Sequence, residues 1–245
     1  MAKSLFLILL IIIPCVQAAE VRVAVAANFL ATLKVIIPAY ENQTGDVVVA
    51  SSASTAKLYA QIIHGAPYDV MLSADKEHPQ KLEEAGKAVQ GSGFVYARGQ
   101  LVLLGSNPGQ PLIEHSVVRR GRGRFSIANP RTASYGRAAK QAVKNMGQWQ
   151  KISPDLIQGE SIGQAFQFIA SGNVELGFVG LSQVLNPGNT YNQNNYWLVP
   201  ADYHMPLEQQ AVLLKYGKNN PAANRFLDYL KTEPAQKAMA QFGYL

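Results

Sequence analysis

The chain has one cysteine, Cys15, among 245 residues, and it stands in the N-terminal apolar stretch rather than in the body of the sequence. A body without cysteine has no disulfides, no thiolate nucleophile and no cysteine-held metal. The four histidines, His64, His78, His115 and His204, show no metal-ligand spacing and read as surface residues. No histidine has an evident activating partner, which speaks against an enzyme of the serine-hydrolase kind. No repeat recurs at a fixed period, and no low-complexity linker divides the chain.

Nor is there an apolar run long enough to span a bilayer. The longest, Leu5 to Ile13, is about half of the ~20 residues needed. With Lys3 before it, Pro14 after it and the small-residue pattern Val16-Gln17-Ala18, the N-terminus reads as a secretory signal peptide over 1–18, cleaved after about Ala18. Export follows. Pro14 directly before Cys15 fits lipoprotein processing poorly, so cleavage removes the cysteine. The formal net charge of +6 becomes +5 without Lys3, and the basic residues are scattered except for Arg119-Arg120-Gly121-Arg122-Gly123-Arg124. No aromatic residue interleaves that run, which reads as a solvated loop and not a nucleic-acid surface.

What remains is 48% apolar and long enough for two cores. Val21 to Ala26 is β-branched and alternating. Asn28 stands where a helix cap belongs, and Phe29, Leu33, Ile36 and Tyr40 keep helical spacing until Gly45, with Pro38 expected to kink or shorten the helix. Val47 to Ala50, a serine-rich turn and a helix bearing Leu58 and Ile62 repeat the unit, and Asp69 to Ser73 is a third strand before a helix opened by Asp75. A second set follows: strands at 101–104 and 124–128, helices at 136–146 and 162–170, a buried strand at 176–179, an Asn-rich loop at 186–195, a strand at 209–214 and one last helix after Pro221. Strands alternating with helices imply mostly parallel sheets with ligands at the strand C-terminal ends. Extended crossovers near 94–101 and 206–213 are expected to join the lobes.

Three short stretches place small polar residues between a strand and a helix: Ala27-Asn28-Phe29, Ser51 to Thr55 and Ala133 to Gly136. The first N–H groups of a helix lack intrahelical partners and lie at its positive end, so each such turn is a candidate anion site. Several aimed at one point would hold a tetrahedral anion without lysine or arginine. Each residue has a plainer reading: Asn28 and Thr55 as helix caps, Tyr135 as a half-buried aromatic, Ile162 as core.

The stretches 23–30, 51–62, 65–75, 128–136 and 175–179 together resemble the periplasmic molybdate-binding proteins of ABC transporters, in order and over nearly all of the mature chain. The resemblance implies an α/β, two-lobed type II periplasmic binding protein with a mixed, mostly parallel sheet in each lobe and the ligand in the cleft between them. It implies lobe 1 at 19–98 and 208–245 and lobe 2 at 99–207. It further implies binding of molybdate or tungstate as a transported ligand with no cofactor, no catalysis and no cation ligands, and delivery to a membrane permease by a monomer. Carried over position by position, the ligand contacts fall on Ala27, Asn28, Ser54, Thr55, Tyr135 and Ile162. A serine is common where Asn28 stands, and a tyrosine where this chain has Gly180. Tyr135 then supplies the phenol from another loop. The alternative is another oxyanion such as sulfate, which would use the same neutral donors.

Overall fold

Val21, Val23 and Val25 are fully buried, and the apolar strand they belong to organises the first of two sheets. In this computed structural model, which describes residues 18–106, 112 and 124–245, that strand is β1 (Glu20–Ala26). It runs into helix α1 (Leu30–Thr44), strand β2 (Val47–Ala53), helix α2 (Thr55–Ile63), strand β3 (Val70–Leu72) and helix α3 (Glu77–Glu84). Then come β4 (Phe94–Gly99) and, after Gln100 alone, β5 (Leu101–Gly105). The second half comprises β6 (Phe125–Ala128), α4 (Ser134–Asn145), α5 (Trp149–Ile152), β7 (Leu156–Gly159), α6 (Ile162–Ala170), β8 (Leu176–Gly180), α7 (Leu181–Val184) and β9 (Tyr196–Leu198). The chain closes with β10 (Leu207–Leu213), α8 (Pro221–Tyr229) and α9 (Glu233–Gln241). Residues 1–17 and 113–123, which carry most of the signal segment and all of the arginine run but Arg124, lie outside the described residues, as does His115.

The sheet orders are β2-β1-β3-β10-β4 and β7-β6-β8-β5-β9. In each, a central strand has a parallel neighbour on both sides, and two further pairs are antiparallel, so both sheets are mixed with parallel and antiparallel pairs in equal number. The antiparallel strands are those that adjoin the crossings: β4 leads out of the first sheet, β5 leads into the second, and β10 returns. The segments expected as extended crossovers are therefore largely paired strands. β4 and β10 form a ribbon from Phe94↔Ala211 to Gly99↔Leu207, with a register shift between Gln209 and Gln210. Helices cover the faces of both sheets, and each sheet has its own core, one around Phe29 and Phe226 and one around Phe125 and Phe178.

Several local expectations need correction. Pro38 does not shorten α1, which continues to Gly45 (φ 75°). An interior proline costs a helix roughly 3 kcal/mol. Leu33 and Ile36 before it and Tyr40 after it are buried at ~1.5–3 kcal/mol each, which outweighs that cost. Ser51, Ser52 and Ala53 are not a turn: they extend β2 in parallel register with Ala24, Val25 and Ala26. The C-terminal helix is two, parted around Lys231, with Pro234 in the first turn of α9. Short strands β7 and β9 carry too little apolar periodicity to announce themselves.

Candidate functional site

The turns after β1 and β2 and the starts of α4 and α6 meet between the sheets. Ala26, Ala27, Asn28, Ser54, Thr55, Ala74, Ala133, Ser134, Tyr135 and Ile162 line one cavity. All six residues singled out from the sequence are among them. About 10 Å³ is open to the centre of a water-sized sphere. That is room for a single small group, not a sugar or a peptide. No lysine, arginine, carboxylate or histidine is among the lining residues. Lys57 and Arg131 are exposed, Arg137 beside Gly136 is half-buried, and none of the three lines it.

The donors come from both lobes. Ser54 takes the extended conformation before α2 and makes no side-chain bond to the helix. Thr55 likewise does not cap: its Oγ1 accepts the Ala74 N–H at 3.2 Å, leaving its own proton to donate elsewhere. In α6 the Ser161 hydroxyl accepts the Gln164 N–H at 3.3 Å and the Ser161 carbonyl accepts that of Ala165. The Ile162 N–H precedes the first intrahelical bond, at the positive end of the helix.

Asn28 is not a helix cap. The residue before α1 is Phe29, and the Asn28 amide donates to Gln209 Oε1 (2.9 Å) and to the Tyr244 hydroxyl (3.1 Å). It thereby enters a buried polar cluster that sequence reasoning missed. Gln209 Nε2 donates to the Tyr135 hydroxyl (3.2 Å), and the Tyr96 hydroxyl donates to Gln209 Oε1 (3.0 Å). Tyr244 and Ser182 hydroxyls both approach the Asn28 carbonyl, at 3.0 and 3.1 Å. Burial pushes the Tyr135 and Tyr96 hydroxyls well above the ordinary phenol range. It pushes Tyr244 up to about 12, against the opposing effect of its hydrogen bonds with Ser182 and Asn28. All three are therefore neutral hydroxyls at physiological pH, able to donate. Gly180 makes room for the Tyr135 ring: a Cβ there would sit 3.1 Å from Cε1.

Beside the cavity the lobes are pinned by charge. Asp75, which accepts the His78 N–H in the first turn of α3 (3.1 Å), also accepts from the Ser134 hydroxyl (2.6 Å) and Arg137 Nη2 (2.7 Å) of α4. His78 Nδ1 lies 3.0 Å from the same carboxylate. Burial alone would raise the Asp75 pKa, but the His78 and Ser134 contacts hold it well below the usual carboxylate range. His78 is thus buried, contrary to the surface reading of the histidines, whereas His64 is exposed and His204 half-buried. The Ala56 N–H donates to Thr132 O across the same boundary (3.1 Å).

The family model for bacterial extracellular solute-binding proteins matches residues 21–245. The chain is 46% identical to the molybdate-binding protein ModA of Azotobacter vinelandii over 93% of its length and 90% of that protein's. It is 38% identical to the Rhodobacter capsulatus molybdate-binding protein ModA over 100% of its length and 95% of that protein's. Among solved structures it is similar to the Azotobacter vinelandii periplasmic molybdate-binding protein, with a TM-score of 0.88 and 37% identity, covering 92% of this chain and 99% of that one.

Proposed function

From the premise that the chain belongs to the bacterial extracellular solute-binding proteins, in their molybdate-binding branch, we propose that it binds molybdate, and tungstate alike, in the cavity between its lobes. It is a transport protein and not an enzyme, exported to the periplasm, with an oxyanion as cargo and a membrane ABC permease as partner. Its anion contacts are the neutral donors of Ala27, Asn28, Ser54, Thr55, Tyr135 and Ile162. The lobes are 19–98 with 208–245, and 99–207. It acts as a monomer, with the signal segment removed after about Ala18.

The observation that carries this reading is the convergence of helix starts from both lobes on one small cavity with no cationic lining. Charge-assisted hydrogen bonds and helix dipoles replace the hydration of a dianion. A site of donors alone disfavours phosphate, which near neutral pH keeps a proton that needs an acceptor. Sulfate, being smaller, would leave donors unpaired at ~1–3 kcal/mol each. Titration calorimetry of the processed protein with molybdate, tungstate, sulfate and phosphate tests this. One-to-one binding of the first two and none of the others is expected, and tighter binding of sulfate than of molybdate would overturn the assignment.

A further inference from the structure

We infer that Gln209 is a positioning residue of the anion site, turning the single proton of the Tyr135 hydroxyl toward the cavity by donating to its oxygen. The inference rests on the cavity being the oxyanion site. Gln209 is completely buried on β10 and is not among the residues lining the cavity, so any influence on the ligand passes through a neighbour. Its Nε2 lies 3.2 Å from the phenol oxygen. A hydroxyl has one proton, and once its oxygen accepts from Gln209 that proton is left for an acceptor on the cavity side.

The sense of the Gln209 amide is set from behind. Its Oε1 receives the Asn28 amide at 2.9 Å and is the nearer, at 3.0 Å, of two acceptors for the Tyr96 hydroxyl, the other being the Ser73 carbonyl at 3.3 Å, and the second Asn28 proton goes to Tyr244. Turning Gln209 over would set its NH₂ against the Asn28 NH₂ and place a carbonyl oxygen on the phenol, drawing the proton away from the anion. Gly99, at the end of β4, permits the contact: a Cβ there would lie 2.8 Å from Gln209 Nε2 and overlap the Tyr135 oxygen. Gln209 and Tyr96 belong to the first sheet and Tyr135 to a helix of the second lobe, so the bond that orients the phenol also crosses between lobes.

A double-mutant cycle on molybdate affinity separates this role from a merely structural one. Gln209→Met, which keeps the volume, is expected to weaken binding about tenfold in the native background and less than about twofold once Tyr135→Phe has removed the hydroxyl. Tyr96→Phe, which leaves the cavity wall intact, is expected to weaken binding about threefold and likewise to lose its effect beside Tyr135→Phe. It carries the cycle if Gln209→Met does not fold. Equal effects in both backgrounds, or no effect of either substitution on affinity, would overturn the inference. Native affinity in Tyr135→Phe alone would instead show that the phenol is not a ligand, which removes the contact on which both the site reading and this inference depend.

Discussion

Replacing Arg137 by glutamine removes one side of the charged contact that joins the lobes next to the cavity. Its Nη2 lies 2.7 Å from Asp75 Oδ2, and the side chains are 35% and 13% exposed, so the pair is neither a screened surface bridge nor a dry one. Asp75 keeps Ser134 and His78 after the substitution. The loss is therefore put at about 1–1.5 kcal/mol, between the values for exposed pairs and for charge-assisted bonds, or roughly tenfold in the ratio of closed to open protein. If the empty protein is mostly open, the whole factor appears in the affinity. If it is mostly closed, it appears first as expansion of the empty form. Calorimetry and small-angle scattering on the same samples read both outcomes. Electrostatics adds a sign: Arg137→Gln uncovers a carboxylate beside a dianion, whereas Asp75→Asn loses the pair and the negative charge together. Asp75→Asn should accordingly be the milder change for molybdate. Unchanged affinity and unchanged radius of gyration in Arg137→Gln, with and without ligand, would refute the role given to this contact.

Tyr135→Phe should weaken molybdate binding by roughly 1.5–3 kcal/mol, the range for a hydrogen bond to a charged group, and should also cost the empty protein ~1–3 kcal/mol because the buried Gln209 Nε2 loses its acceptor, by calorimetry and thermal denaturation. Thr55→Val should weaken binding similarly and also cost the empty fold ~1–3 kcal/mol, because the buried Ala74 N–H loses its acceptor, and chemical denaturation separates the two effects. Asp46, lowered mainly by its bond from Arg225 with burial opposing, and Asp75 both have folded-state pKa values below the unfolded 3.8. Their stabilisation is complete above that value and is lost as pH falls below it, so stability followed by circular dichroism should be level from neutral to about pH 5 and fall beneath pH 4. A loss centred near pH 6 would contradict that order.

Much of the first sheet and of the cavity wall was legible because the signals are local. Val21 to Ala26, the helix up to Gly45 and the 162–170 helix follow from alternation, spacing and glycine stops, Ala27 and Thr55 follow from their places at strand-to-helix junctions, and Ile162 came from the family resemblance alone. Ser134, one residue before Tyr135, could have been found the same way. Gln209 left only a faint trace, a polar side chain on the buried phase of a strand whose neighbours alternate. Tyr244 left none, since nothing local distinguishes a tyrosine at the chain end that bonds the Asn28 amide 216 residues away.

Most of the order of strands and helices, the apolar faces, the neutral character of the turns and the likeness to molybdate-binding proteins are properties of the sequence by itself. They depend on residues a few positions apart, whose geometry the backbone period sets. Tertiary structure alone decided that Ser51 and Ser52 are strand rather than turn, because their backbone groups pair with β1. It decided that Asn28 turns to Gln209 and Tyr244 instead of capping α1, and that Asp75 joins α4 as well as serving α3. In each case a polar group had more than one possible partner along the chain. Burial at the meeting of two lobes selected among them, since a polar atom taken out of water must find its hydrogen bond wherever the fold brings a partner.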